Sequence, residues 1–300
     1  MNFIEKVKRE LPELNIVSDE LMSKHTTFKV GGAADYFASP TAKELGALLA
    51  IAKECDVAVT IIGNGSNLLV GDRGIRGLVI EIGKAMEYIQ IDGLTMTVGA
   101  GTILAKAANE AACAGLGGME FAAGIPGSMG GAVVMNAGAY GGEIKDILES
   151  ATVISQDGEI ITLSNQELDL SYRHSCVLEK EYIVLSARLK LEKKDEAQIR
   201  EVMADLRNRR IEKQPLEYPS AGSTFKRPEG YFAGKLIEDA GLRGYTVGGA
   251  CVSEKHCGFV VNKGDACAAD VLNVIKDVKV KVYEKFGVEL EPEVKMIGEF

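Results

Sequence analysis

Apolar and polar positions along the chain change period several times, and each change marks an element. The opening MNFIEKVKRELPEL mixes charge and apolar residues as an amphipathic helix does. TAKELGALLAIAKEC (41–55) keeps helical spacing and leads into VAVTIIG (57–63), an apolar strand. NGSNLLVGDRGIRGLVIEIG (64–83) then reads as strand, turn, strand with glycines at the corners. YIQIDGLTMTVGAG (88–101) alternates around Asp92-Gly93, a hairpin signal, and TILAKAANEAACAG (102–115) returns to a helical period. ATVISQDGEIITLS (151–164) is a second hairpin, turning at Asp157-Gly158, and EYIVLSARLKLE (181–192) is a strand. KDEAQIREVMADLRNRRIEKQ (194–214) is a long charged helix with Pro215 as its stop. Beyond it come a helix around YFAGKLIEDAG, a strand at CGFVVN, a helix at ACAADVLNVIKDVKVKVYEKFG and a last strand, VELEPEVKMIG.

Runs of strands with few helices, then helix and strand in turn, predict an α+β chain of separate domains. The main boundary is placed near residue 195 and a weaker one near residue 80, giving 1–80, 81–195 and 196–300. Composition fits soluble globular domains: 300 residues, 46% hydrophobic and 26% charged. A net charge of −9 argues against a nucleic-acid partner, which selects a basic face. No apolar run reaches the roughly 18 residues of a membrane span, and the N-terminus lacks the h-region of an export signal. With six scattered cysteines and no C-x-x-C, the thiols read as reduced and the location as cytoplasmic. Cys251, His256 and Cys257 cluster without a fourth ligand and read as buried small residues, so no metal is expected. His25 and His174 are isolated, and no nucleophile–histidine dyad is legible.

The unusual chemistry is in the glycines. GIPGSMGGAVVMNAGAYGGE (124–143) holds seven glycines and no lysine. Bare backbone at this density serves tight turns or close approach to a ligand such as a phosphate. Neither the P-loop pattern nor a G-x-G-x-x-G opening a helix is present. A second such segment, GNGSNLLVGDRG (63–74), lies one hairpin and helix upstream. Singly each is as consistent with a structural turn; together they suit the two phosphates of a diphosphate.

TTFKVGG (26–32), GNGSNLLV, GIPGSMGGAVVMNAGAYG, YRHS (172–175), AGSTFKRP (221–228) and LEPEVKMIG (290–298) occur in this order. The series resembles the UDP-N-acetylenolpyruvoylglucosamine reductase (MurB) family over essentially the whole chain. The paired glycine loops alone resemble the wider FAD-binding superfamily that includes vanillyl-alcohol oxidase; the three later motifs carry the reductase. The resemblance implies a two-part FAD-binding module, 1–80 and 81–195, followed by an α+β substrate-binding domain, 196–300. It implies reduction of UDP-N-acetylglucosamine enolpyruvate to UDP-N-acetylmuramate in peptidoglycan synthesis, with non-covalent FAD and NADPH as reductant. No obligate protein partner, nucleic acid or membrane is implied.

Residue by residue, the same resemblance assigns FAD binding to Gly63, Asn64, Gly65, Ser66, Asn67 and Leu68. It adds Gly124, Ile125, Pro126, Gly127, Ser128, Gly130 and Gly131, with Asn136, Gly138, Ala139 and Tyr140 continuing the wall towards the flavin. Arg173 supplies charge to the developing enolate, Ser223 delivers the proton, and Glu293 completes the polar shell. A bare carboxylate there would be repelled, so Glu293 is expected to be protonated or linked through a hydrogen-bonded partner. Tyr172, Lys226, Arg227 and Lys235 are assigned to the substrate, the cations to its phosphates. RNRR (207–210) reads instead as a helix C-terminus complementing its dipole. Some members carry an inserted tyrosine loop ahead of the serine; IEKQPLEYPSAG (211–222) is too short for one, so this chain is of the shorter type. Two rivals remain: an oxidase of the same superfamily, many of which tether FAD through a histidine absent from both loops, and a non-catalytic nucleotide-binding module.

Overall fold

The computed structural model describes residues 2–300. In chain order the first elements are α1 (Phe3–Glu10), β1 (Ile16–Leu21), β2 (Ala33–Ala38), α2 (Ala42–Glu54), β3 (Val59–Ile62), β4 (Leu68–Val70) and β5 (Ile75–Glu81). Next come β6 (Ile89–Asp92), β7 (Thr95–Gly99), α3 (Leu104–Cys113), β8 (Leu116–Gly117), α4 (Met129–Val134), β9 (Gly138–Ala139), β10 (Gly142–Glu143) and α5 (Ile144–Ile147). β11 (Leu148–Ile154), β12 (Ile160–Ser164), α6 (Cys176–Glu179), β13 (Ile183–Lys190), β14 (Glu192–Lys193) and α7 (Glu196–Lys213) follow. The last are α8 (Ala233–Asp239), β15 (Thr246–Val247), β16 (Ala250–Val252), β17 (Val260–Asn262), α9 (Ala268–Phe286) and β18 (Lys295–Ile297). Both strands and helices are plentiful, as the α+β expectation required. Among the described residues no helix is long and apolar enough to cross a membrane.

The chain folds into two compact units. The first comprises residues 1–17, 36–64 and 77–210; the second comprises 18–35, 65–76 and 211–300. In the first unit an antiparallel sheet runs β12-β11-β13-β7-β6. Both predicted hairpins are in it: Asp92 pairs with Thr95 across the first turn, and Ile154 with Ile160 across the second. Their turns use Gly93 and Gly158 at positive φ. α4 packs on β13, and α3 packs on a 3-10 turn at Glu120–Gly124, which fixes where the glycine-rich segment begins. α2 starts with a capping box, Thr41 and Glu44 each satisfying the other's backbone N–H.

In the second unit β15, β16 and β17 form an antiparallel sheet on which α9 packs through Val271, Val274, Ile275 and Val278. Asp72 accepts from the N–H groups of Ala268 and Ala269 (2.7 and 2.9 Å), tying the glycine-flanked segment to the start of α9. The strand–turn–strand reading of 64–83 found both strands but not their partners. β4 pairs in parallel with the C-terminal β18, and β5 in parallel with β3. Alternation reports a pleated segment; it carries no record of which segment lies alongside. β1 and β2 were not anticipated, because IVSDEL and AADYFA are too polar or too short in period to stand out.

Candidate functional site

The first glycine segment is built around Gly65, whose φ of 60° belongs to the left-handed region. A Cβ on Gly65 would lie 1.9 Å from the His25 carbonyl oxygen, so backbone packs on backbone here. The Thr27 N–H donates to the Gly65 carbonyl (3.2 Å), which seats TTFKVGG against the loop. At the loop's end the Asn67 amide donates to the Glu293 carbonyl (3.2 Å), and the Asn67 carbonyl accepts from the Lys295 N–H (2.9 Å). Leu68 then enters β4 opposite Lys295.

Gly63 and Asn64 belong to the first unit and lie beside the second glycine segment. The Asn64 amide donates to the Pro126 carbonyl (2.5 Å). A Cβ on Gly63 would come within 2.6 Å of Ser128 Oγ. Two segments far apart in sequence are thus neighbours through Gly63–Asn64 and Pro126–Ser128. Main-chain bonds hold the second segment: Met129 N–H to Thr102 O, Gly130 N–H to Ala100 O (both 2.8 Å), and Leu104 N–H to Gly127 O (3.0 Å). Ser128 is buried, yet its hydroxyl has no hydrogen-bond partner among the described residues, and the same holds for Thr27 Oγ1. Buried hydroxyls are nearly always paired. The orphaned Ser128 hydroxyl on glycine-rich backbone fits a polar ligand such as a dinucleotide.

Asn136, at φ 40°, links the tail of that segment to the YRHS turn. Its amide donates to Glu143 Oε2 (2.6 Å) and to the Ser171 carbonyl (3.1 Å), and its carbonyl accepts from the Lys145 N–H (2.9 Å). Ser171 and His174 close a tight turn by exchanging main-chain bonds (3.2 and 3.1 Å). Arg173 stands at the tip of that turn at φ 56°, its guanidinium 5.0 Å from the Tyr172 ring. Gly138 and Ala139 form β9 against β10, and Tyr140 follows, exposed.

In the second unit the structure brings Ser223 and Glu293 onto adjoining backbone. The Glu293 N–H donates to the Thr224 carbonyl and the Lys226 N–H to the Glu291 carbonyl (both 2.8 Å), with Phe225 bridged to Pro292. Buried Thr224 anchors the segment: its N–H donates to Gly258 O (2.8 Å) and its hydroxyl accepts from the Val260 N–H (2.9 Å). Ser223 is left exposed at the edge of this framework. Asn67 completes it through Glu293, so serine, carboxylate and the end of the first glycine segment share one scaffold.

The cations that the sequence reading assigned to the substrate differ in their surroundings. Lys226 pairs with Glu291, and exposed Lys235 pairs with Asp239 one turn along α8 (2.7 Å). Exposed pairs of this kind are worth at most about 1 kcal/mol and exchange readily for an anionic ligand. Arg227 lies over the Phe232 ring at 4.1 Å.

Two residues to which the sequence reading gave no role in the site, His256 and Arg210, adjoin these segments. His256 Nδ1 accepts from the Gly258 N–H (3.1 Å), two residues from its own ring, which leaves the proton on Nε2. Burial pushes the His256 imidazole below its usual range, so it is neutral at pH 7. Arg210, in the last turn of α7 where the sequence reading placed a dipole complement, packs its side chain against Gly124.

Comparison with known proteins identifies the family. An FAD binding domain family matches residues 34–164, and the UDP-N-acetylenolpyruvoylglucosamine reductase C-terminal domain matches residues 214–297. A UDP-N-acetylenolpyruvoylglucosamine reductase of Agathobacter rectalis is 63% identical over 310 residues, covering 99% of each chain. That of Lachnoclostridium phytofermentans is 52% identical, over 99% of this chain and 97% of its own. The crystal structure of the Thermus caldophilus enzyme superposes with a TM-score of 0.81 at 38% identity, over 95% of this chain and 98% of that one. The chain belongs to the UDP-N-acetylenolpyruvoylglucosamine reductase family.

Proposed function

We propose that Arg173, Ser223 and Glu293 carry out the reduction for which this family is named. The chain is an FAD-dependent oxidoreductase that reduces UDP-N-acetylglucosamine enolpyruvate to UDP-N-acetylmuramate with NADPH, in peptidoglycan synthesis. Bound FAD supplies the hydride. Residues 63–68 and 124–131, with Asn136, Gly138 and Ala139, are the groups that would hold it, through backbone N–H groups and the unpartnered hydroxyl of Ser128. We also propose the division of labour 1–80 and 81–195 for FAD and 196–300 for substrate. A cytoplasmic location, with no nucleic-acid, membrane or obligate protein partner, belongs to the same proposal; six free thiols favour a reducing compartment.

Addition of a hydride to the methylene carbon drives negative charge towards the substrate carboxylate. Arg173, held at the tip of a rigid turn, offers fixed positive charge for that anion. Ser223 then donates its hydroxyl proton to the carbon next to the carboxylate, and Glu293 completes the polar shell beside it. Tyr172, Lys226, Arg227 and Lys235 orient the nucleotide sugar, the cations at its phosphates. The observation that carries this reading is the pairing of 223–226 with 291–293, locked at Thr224 and reached by Asn67.

The test separates the half-reactions. Ser223→Ala removes one exposed hydroxyl and should leave folding, FAD binding and bleaching by NADPH close to normal. Reoxidation by the enolpyruvyl substrate should slow by about a hundredfold or more, as loss of a positioned acid predicts. Stopped-flow absorbance, with each half-reaction followed alone, reads both rates. Equal losses in both would make Ser223 an organiser of the site, and no loss in either would remove it from the mechanism.

A further inference from the structure

The segment that joins the Ser223 framework to α8 carries an aromatic ring it does not bury. Phe232 is 61% exposed and Tyr231 beside it 48%, although the chain is anchored on either side of them. Upstream, the Lys226 N–H donates to the Glu291 carbonyl (2.8 Å) and Phe225 is bridged to Pro292. Downstream, the Phe232 carbonyl accepts from the Lys235 and Leu236 N–H groups (3.0 and 3.1 Å), which start α8, and Leu236 and Ile237 of that helix are buried. Between the anchors the chain turns back on itself, the Tyr231 N–H donating to the Pro228 carbonyl (3.1 Å) with Gly230 at φ 74°. The guanidinium of Arg227 thereby lies over the Phe232 ring, 4.1 Å from its centre.

A lone exposed aromatic is ordinary on a protein surface. Two features set this one apart. The ring is fixed by a cation stacked on one face, and exposure of this extent leaves the remainder open to solvent. It also stands among the three cations proposed for the substrate phosphates, on the same segment as Lys226 and Arg227 and at the start of the helix that carries Lys235. A flat apolar surface beside positive charge is the complement of a nucleobase joined to a diphosphate. A guanidinium stacked by its face keeps its N–H edge for phosphate oxygens.

We propose that Phe232 is the platform on which the uracil of the substrate stacks, a specificity residue for the base. The inference rests on the reading that 196–300 holds the substrate. The uracil is remote from the carbons that accept hydride and proton, and it is unchanged by the reaction. Its stacking is therefore as strong before hydride transfer as during it, so the platform sets affinity and leaves the limiting rate alone.

The experiment follows reoxidation of the NADPH-reduced holoenzyme by the enolpyruvyl substrate in wild type, Phe232→Leu, Phe232→Trp and Lys226→Ala. UDP and inorganic pyrophosphate are titrated as inhibitors of that step, and FAD retention and melting temperature check the fold. Phe232→Leu keeps apolar bulk and loses the plane. It should raise the KM for the sugar nucleotide and the inhibition constant of UDP by about five- to a hundredfold, with the limiting rate unchanged. Pyrophosphate has no base and should lose much less, and Phe232→Trp should restore UDP. Equal losses for UDP and pyrophosphate would overturn the stacking, because the ring would then act only by placing Arg227. A fall in the limiting rate with KM unchanged would overturn it too. Unchanged UDP inhibition in Phe232→Leu, with weaker inhibition in Lys226→Ala, would remove the platform and leave the substrate reading standing. Unchanged inhibition in both variants would overturn the placement of the nucleotide on this segment as well.

Discussion

Thr224 is the residue on which the proposed reduction site turns, although the proposal gives it no part in the chemistry. All its polar atoms are committed to Gly258, Val260 and Glu293, so the serine before it can only stand at the exposed edge. His256 belongs to the same neighbourhood, since its ring accepts from Gly258, the residue whose carbonyl receives the Thr224 N–H. Partial burial holds this imidazole below its ordinary value near 6.5. The sign follows from linkage: the unfolded state takes up a proton first, so the stability contributed by neutral His256 is full above about pH 6.5. It is lost as pH falls through the lower value of the folded state. An NMR titration of the imidazole should place its midpoint below that of an exposed histidine, and a His256→Asn variant should lose this segment of the pH slope. A His256 midpoint at or above 6.5 would refute the account.

At the scale of elements, short pieces are held by what they touch across the chain more than by their own propensity. β4 and β18 have three residues each, and they persist because they pair with one another and are flanked by the Asn67–Lys295 and Asn67–Glu293 bonds. Their position depends on the turn at Gly65. Gly65→Ala forces a left-handed alanine and a Cβ within 1.9 Å of a carbonyl oxygen, so it should cost about 1–3 kcal/mol or more and loosen FAD. Gly158→Ala is the natural control, since Gly158 also has positive φ but meets nothing within 4 Å. It should cost about 1 kcal/mol in the left-handed region and leave FAD alone. Melting temperature and flavin retention on gel filtration distinguish the two. Similar behaviour of both variants would show that close packing at Gly65 is unimportant.

For the whole molecule, the cofactor contacts proposed here are backbone and hydroxyl groups, with no histidine in either glycine segment. FAD should therefore come away quantitatively in the supernatant when the protein is denatured and precipitated. Yellow colour retained in the washed pellet would mean a covalent link and would favour the oxidase alternative. The two compact units divide the proposed catalytic residues, Arg173 in the first and Ser223 with Glu293 in the second. Each unit keeps its own apolar core, one centred on the β11–β13 sheet and one on α9, so a substitution in either core should first disturb the residues of that unit.

Much of this was legible in residue order alone. Helices announced themselves through period, as over 41–55, and hairpins through Asp92-Gly93 and Asp157-Gly158, because such signals depend only on near neighbours. The glycine segments and the motifs around Arg173, Ser223 and Glu293 were equally visible, since chemistry restricts residue type at those positions. What the tertiary structure alone decided were the partners. Nothing near Leu68 in sequence says that Lys295 lies beside it, nothing in AGSTF says that Glu293 donates to Thr224, and nothing in RNRR distinguishes Arg209 from Arg210. Strand partners and buried charges depend on which distant surfaces meet, a property of the whole chain that a local pattern does not contain.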